Sequence, residues 1–218
     1  MSTPLIEPDK AHGRRTPTGA AVLQTQVTTA IAKACFREWA RVGYAALTME
    51  AIARRAGVGK AALYRRWPSK LAMTVDLLTR SGVPSADVPD QGSLEEDVRF
   101  FLKQTLRLLQ RPLVKRILPD LHAEMGRTPE LAAAVRNGIQ GKRRELGERL
   151  LDRAVARGEL GSGTDRALAL DLLVAPLYWR AVITGGPTPP DYLEALTNLT
   201  LGGLRALSAA TTASHNAG

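Results

Sequence analysis

Cysteine is almost absent from this chain: 218 residues hold one, Cys35. A disulfide within the chain is therefore excluded, which fits a reducing compartment and a cytoplasmic protein. Histidine is scarce too. His12, His122 and His215 lie too far apart to follow a metal-ligand spacing, so neither a metal nor another cofactor is expected. Aromatic residues make up 5% of the chain, and no alternating run of Val, Ile and Thr stands out, which argues against a sheet. Long apolar runs are missing as well. The most apolar stretch, Ala167 to Ile183, is broken by Asp171, Pro176 and Arg180, and the N-terminus has no apolar stretch of signal-peptide type. No membrane partner is expected.

Positive charge is what the chain has in excess, and it is unevenly placed. Residues 1–80 hold 13 Lys/Arg against 5 Asp/Glu, whereas residues 81–218 hold 17 against 16. A basic segment joined to a nearly neutral one suggests a polyanion-binding unit attached to something else.

Ala, Leu, Arg and Glu dominate the long segments, and all are good helix formers. The expected fold is all-α, with about nine helices. Residues 1–20, rich in Pro, Thr, Gly and basic side chains, read as a disordered arm. A first helix is predicted over Leu23 to Val42, with Val27, Ile31, Cys35 and Trp39 on one stripe and Gly43 ending it. Thr48 caps a second helix that Gly57 stops. A short third helix runs from about Gly59 to Arg65, and Pro68 breaks it. Ser69 caps a fourth to Ser81. Residues 21–82 thus read as one unit, 83–92 as a Pro-, Gly- and Ser-containing linker, 93–209 as a second helical unit and 210–218 as a disordered tail. Five helical segments fall in the second unit. Ser93 and Thr164 are the expected caps of the first and fourth, and Pro119 is expected to interrupt the second.

Two short helices joined by a Gly-containing turn form a helix-turn-helix pattern. On a helical wheel Leu63 faces inward with the preceding Val58, while Lys60 and Tyr64 share the outer surface. That surface is slim at its N-terminal end and cationic further on. A recognition helix inserts its N-terminal end into the DNA major groove, where small side chains let the backbone approach the base edges. Lys60 and Ala61 can reach bases, Tyr64, Arg66 and Lys70 lie where flanking phosphates run, and Arg65 is a further DNA-binding candidate. The arm residues Lys10, Arg14 and Arg15 read as part of a solvated tail, with a minor-groove contact as the alternative.

The residues Trp39, Gly43-Tyr44, Thr48, Ile52-Ala53, Ala56-Gly57-Val58, Leu63-Tyr64 and Trp67-Pro68-Ser69-Lys70 together resemble the DNA-binding domain of the TetR family of bacterial transcription regulators. The stretch Leu170 to Pro187 resembles the C-terminal domain of one branch of that family. The resemblance implies phosphate contacts from Thr48, Tyr64, Arg66 and Lys70, and base contacts from Lys60, Ala61 and Met49. The chain departs from the family at Gly59 and at Ala61-Ala62, where relatives often carry hydroxyl side chains. Base preference therefore does not transfer.

Other functions find less support. GVGK lacks the leading Gly of a phosphate loop, with Arg54 in its place and Ala61 where Ser or Thr is needed. An enzyme would need a nucleophile with its base, a metal cluster or paired carboxylates. His122 and Glu124, two apart on a helix, do not share a face. An architectural DNA binder would have no use for a large neutral appendage. The expected function is a ligand-responsive regulator that binds a palindromic operator on double-stranded DNA as a homodimer; repression is the family default and activation the alternative. In such proteins the last two helices pair with their copies, which implies an interface from Leu173, Leu177, Leu196, Leu199 and Leu204, with Gly202-Gly203 allowing close approach. Phe100, Phe101, Leu106, Leu121, Met125, Tyr178 and Trp179 are the candidates to line a pocket for an apolar or amphipathic small-molecule effector.

Overall fold

The computed structural model describes residues 19–81 and 89–215, with side chains placed for 26–80 and 89–209 other than 139 and 142. Among these residues the chain forms helices and no strand. The arm cations Lys10, Arg14 and Arg15 and most of the expected linker lie outside the described residues.

Helix α1 spans Gly19–Ala46 and kinks at Gly43, whose φ of 77° and ψ of 165° leave the helical region. A positive φ favours glycine, so the kink is written at that position. Helix α2 (Met49–Ala56) starts at Thr48, whose hydroxyl accepts from the Ala51 N–H at 3.2 Å, and ends at Gly57 in the left-handed conformation. Helix α3 is Lys60–Arg66 and α4 is Lys70–Ser81, where Ser69 Oγ accepts from the Ala72 N–H. Helix α5 (Leu94–Leu109) is capped by Ser93.

Helix α6 (Pro112–Met125) runs through Pro119 without a break, contrary to the sequence expectation. Helix α7 comprises Pro129–Val135, a π-helical turn Arg136–Gln140 and Gly141–Ala156. Helix α8 comprises Arg166–Tyr178 and a π-helical turn Trp179–Ile183. Its cap is Asp165, not Thr164: Asp165 accepts from the Leu168 N–H, while the Thr164 hydroxyl donates to the Gly161 carbonyl. Pro176, which has no N–H to donate, precedes the widened turn. Helix α9 spans Pro190–His215, so it reaches into the segment read as a disordered tail.

Two hydrophobic clusters hold the helices. One joins α5, α7, α8 and α9 through residues such as Leu94, Leu102, Leu150, Leu173 and Leu204. The other joins Ile31, Cys35, Trp39, Ile52, Leu63 and Met73 of α1–α4 to Ile117 and Leu121 of α6 and to Leu131 and Val135 of α7. The core of the N-terminal helices thus continues into α6, and Leu118 packs against both clusters. Burial pushes the Cys35 thiol up to about 12, which makes it an inert packing residue. Asp97, with no exposed surface, accepts from Arg153 and Arg157 of the α7 end and from the Gln91 N–H, and so anchors the start of α5.

Candidate functional site

Helix α3 is held from beneath. Leu63 is fully buried, and Trp67, just past the helix, donates from Nε1 to Asp76 of α4 at 2.9 Å. Opposite Leu63, the side chains of Ala61, Tyr64, Arg65 and Arg66 are exposed. Lys60 is exposed as well. Its ammonium pairs with Glu50 of α2 at 2.5 Å and lies 5.6 Å from the Tyr64 ring centre, and the Tyr64 hydroxyl is 3.4 Å from the same carboxylate. Pairing with Lys60 holds Glu50 below the usual carboxylate range. Arg66 donates to Thr28 Oγ1 at 2.7 Å and stacks over Trp67.

Two of the residues expected on the DNA face lie elsewhere. Met49 is 4% exposed and belongs to the core, because the first turn of α2 lies on α1. Lys70 donates to the Tyr44 carbonyl at 2.8 Å and lies 4.4 Å from the Tyr44 ring centre. It satisfies carbonyls at the end of α1, where a cation is favoured. Thr48 is exposed, and its hydroxyl proton is still available to donate.

A cavity of about 740 Å³ opens between α5, α6, α7 and α8, and Phe36 of α1 and Leu78 of α4 also reach its wall. This is within the size range of small-molecule sites. Of the residues proposed from sequence, Phe101, Leu121 and Tyr178 line it. Phe100, Leu106, Met125 and Trp179 do not. Leu106 is buried in the cluster of α5, α7, α8 and α9, Met125 packs on the cluster of α1–α4, and Trp179 is 61% exposed on the outer surface. The sequence reading missed Ile117, Leu118, Val174, His122, Arg143 and Asp171. The Tyr178 hydroxyl is 3.1 and 3.3 Å from the two ring nitrogens of His122.

Below the cavity, α6 grips α1. Asp120 Oδ2 accepts from Trp39 Nε1 at 2.5 Å and from the Tyr44 N–H at 2.8 Å. A methyl group on Gly43 would meet Asp120 Oδ1 at 3.1 Å, so the kink also makes room for this carboxylate. The helix that lines the cavity is therefore bonded to the backbone just before the helix-turn-helix.

The expected dimer residues need correction. Leu173, Leu177, Leu196 and Leu204 are at most 4% exposed and fill the protomer's own core, since α8 and α9 pack against α5. Leu199 alone among them faces outward, at 64%. Gly203 serves the same internal packing: a Cβ there would strike Leu172 of α8 at 2.5 Å. Of six large apolar side chains that are exposed among the described residues, four, Leu168, Trp179, Ile183 and Leu199, are on α8 and α9.

This arrangement is a helix-turn-helix module fused to a helical unit with a cavity. Residues 31–77 match the family described as "Bacterial regulatory proteins, tetR family", and residues 88–200 match "Tetracyclin repressor-like, C-terminal domain". Among curated relatives, the HTH-type transcriptional regulator YdeS of Bacillus subtilis is 29% identical over 77% of this chain and 84% of its own. The DNA-binding transcriptional repressor TetR of Mycobacteroides abscessus is 31% identical over 72% of this chain and 83% of its own. The solved TetR family regulator SCO0332 superposes with a TM-score of 0.65 at 29% identity, covering 82% of this chain and 98% of that one. The chain belongs to the TetR family of helix-turn-helix transcriptional regulators. No helix among the described residues is long and apolar enough to cross a membrane.

Proposed function

We propose that the chain is a repressor that binds a palindromic operator as a homodimer and is released by a small molecule. The observation that supports it most is the presentation of α3: anchored by buried Leu63, it offers a slim edge at Ala61 flanked by Lys60, Tyr64, Arg65 and Arg66. In the major groove, Lys60 leaves Glu50 and donates to a guanine edge, Ala61 touches a thymine methyl, and Thr48, Tyr64, Arg65 and Arg66 bond to phosphates. The half-sites of a dimer lie about 34–36 Å apart or at multiples of that.

Repression agrees with the name of the M. abscessus relative. The apolar surface left on α8 and α9 is what a second copy would cover. Release runs through α6. A ligand against Ile117, Leu118 and Leu121 moves the helix whose Asp120 holds the end of α1, and the recognition helix turns with it. A coupling of roughly 1–3 kcal/mol changes operator affinity about 5–150-fold. The test is the double substitution K60A/Y64A on an operator recovered from random duplexes. Loss of sequence-specific occupancy with an unchanged melting temperature is expected; full retention of occupancy would refute the docking.

A further inference from the structure

The cavity has an uneven chemistry. Its wall is mostly apolar, yet Arg111, Arg136, Arg143 and Arg144 line it and Asp171 is the sole carboxylate among the lining residues. Arg144 is 3.9 Å from Glu148, and Arg111 and Arg136 are exposed at the mouth. Arg143 differs from the rest. It is only partly exposed, and among the described residues no carboxylate or other acceptor is within bonding distance of its guanidinium. Burial holds it below its ordinary value, and it sits close enough to Tyr178 to favour ionisation of that hydroxyl, against the larger effect of burial there. A guanidinium withdrawn from water without a counter-ion is unfavourable, and it persists where something else supplies the charge. The planar fork suits a carboxylate, sulfonate or phosphate oxygen pair.

We propose that the effector is an amphipathic anion whose head pairs with Arg143 beside Tyr178 and whose apolar body lies against Phe101, Ile117, Leu118, Leu121 and Val174. This deepens, and rests on, the effector reading of the cavity. The arginines at the mouth draw anions in, as clefts lined by one sign of charge do. The polar pair His122–Tyr178 gives the head a second donor, and a neutral apolar compound of the same shape leaves Arg143 as it is.

Two fluorescent probes isolate the charge: anilinonaphthalene sulfonate and its neutral parent, N-phenylnaphthylamine. Each is titrated into the full-length protein and into R143Q, with R107Q, on the outer face of α5, as a control for surface charge. The expected result is tighter binding of the sulfonate by the wild type, a loss of at least about tenfold in R143Q, and a change of less than about twofold for the neutral probe and for R107Q. The inference is overturned if the wild type does not bind the sulfonate, if R143Q weakens both probes alike, or if it weakens neither. Operator release is measured separately. Arg143-dependent binding with no effect on operator affinity would sustain the anion site and remove the effector reading.

Discussion

Asp120→Ala tests the joint between the cavity helix and the DNA-binding unit. The carboxylate takes two N–H donors, from Trp39 and from the Tyr44 backbone, and those residues are 1% and 4% exposed. Water therefore does not replace the lost acceptor easily. Hydrogen bonds to a charged group contribute about 1.5–3 kcal/mol each. Because Asp120 itself is half-buried, the lower part of that range applies, and the loss should be about 3–4 kcal/mol. That is a large share of a total stability of about 5–15 kcal/mol. At this chain length it lowers the melting temperature by roughly 6–16 °C. Asp120→Asn keeps one acceptor oxygen but no charge, and should lose about 1–2 kcal/mol. The assay is urea unfolding followed by tryptophan fluorescence, with the W39F/D120N double-mutant cycle isolating the side-chain pair at a coupling of about 1 kcal/mol or more. Identical midpoints for wild type and D120A, or a zero coupling with Trp39, would show that the contact does not hold α1 to α6.

Glu38 accepts from Arg41 at 2.6 Å and from Arg55 at 2.8 Å, and the Arg41 bond foremost holds it below the usual carboxylate range. Its folded value is lowered, so its contribution is present above the unfolded value and is lost as pH falls through the folded one. E38Q should accordingly flatten the decline of urea midpoints between neutral and acidic pH; an unaltered slope would count against it. Leu199→Glu, placed on the exposed apolar surface of α9, should shift sedimentation towards monomer without lowering the melting temperature of the protomer's core. A dimer that persists unchanged would place the interface elsewhere. Arg65→Ala should reduce the salt dependence of operator binding by about one phosphate contact, with little change in base preference, as read from log–log salt titrations.

The helix-turn-helix was legible because its signals are local. Thr48 caps α2 with its own hydroxyl and Gly57 stops it with its own left-handed backbone, so cap and stop are written in single residues. Leu63 needed only a helical period to be placed inside. Met49 and Lys70 were misjudged because their partners are distant in sequence: α1 lies over one, and carbonyls at the end of α1 take the other. The dimer residues failed for a different reason. A leucine face on α8 or α9 reads the same whether it packs on α5 or on a second copy, and periodicity does not distinguish them. The cavity was half legible. Aromatic and aliphatic positions suggested Phe101, Leu121 and Tyr178, but Arg143, in the polar run GKRRE, looks like solvent-facing charge until α8 is seen beside it. Asp120 likewise gave no sign that it reaches residues 76 and 81 positions earlier.

Operator docking by α3 is tested by recovery of bound duplexes from a random pool by the full-length protein, read for sequence and symmetry. Docking of α3 from a two-fold dimer predicts an inverted repeat with half-site centres one helical turn apart, about 10–10.5 base pairs, or a multiple of it, that K60A/Y64A no longer enriches. Recovery of duplexes with no shared sequence, or of one that the double variant enriches equally well, would contradict it.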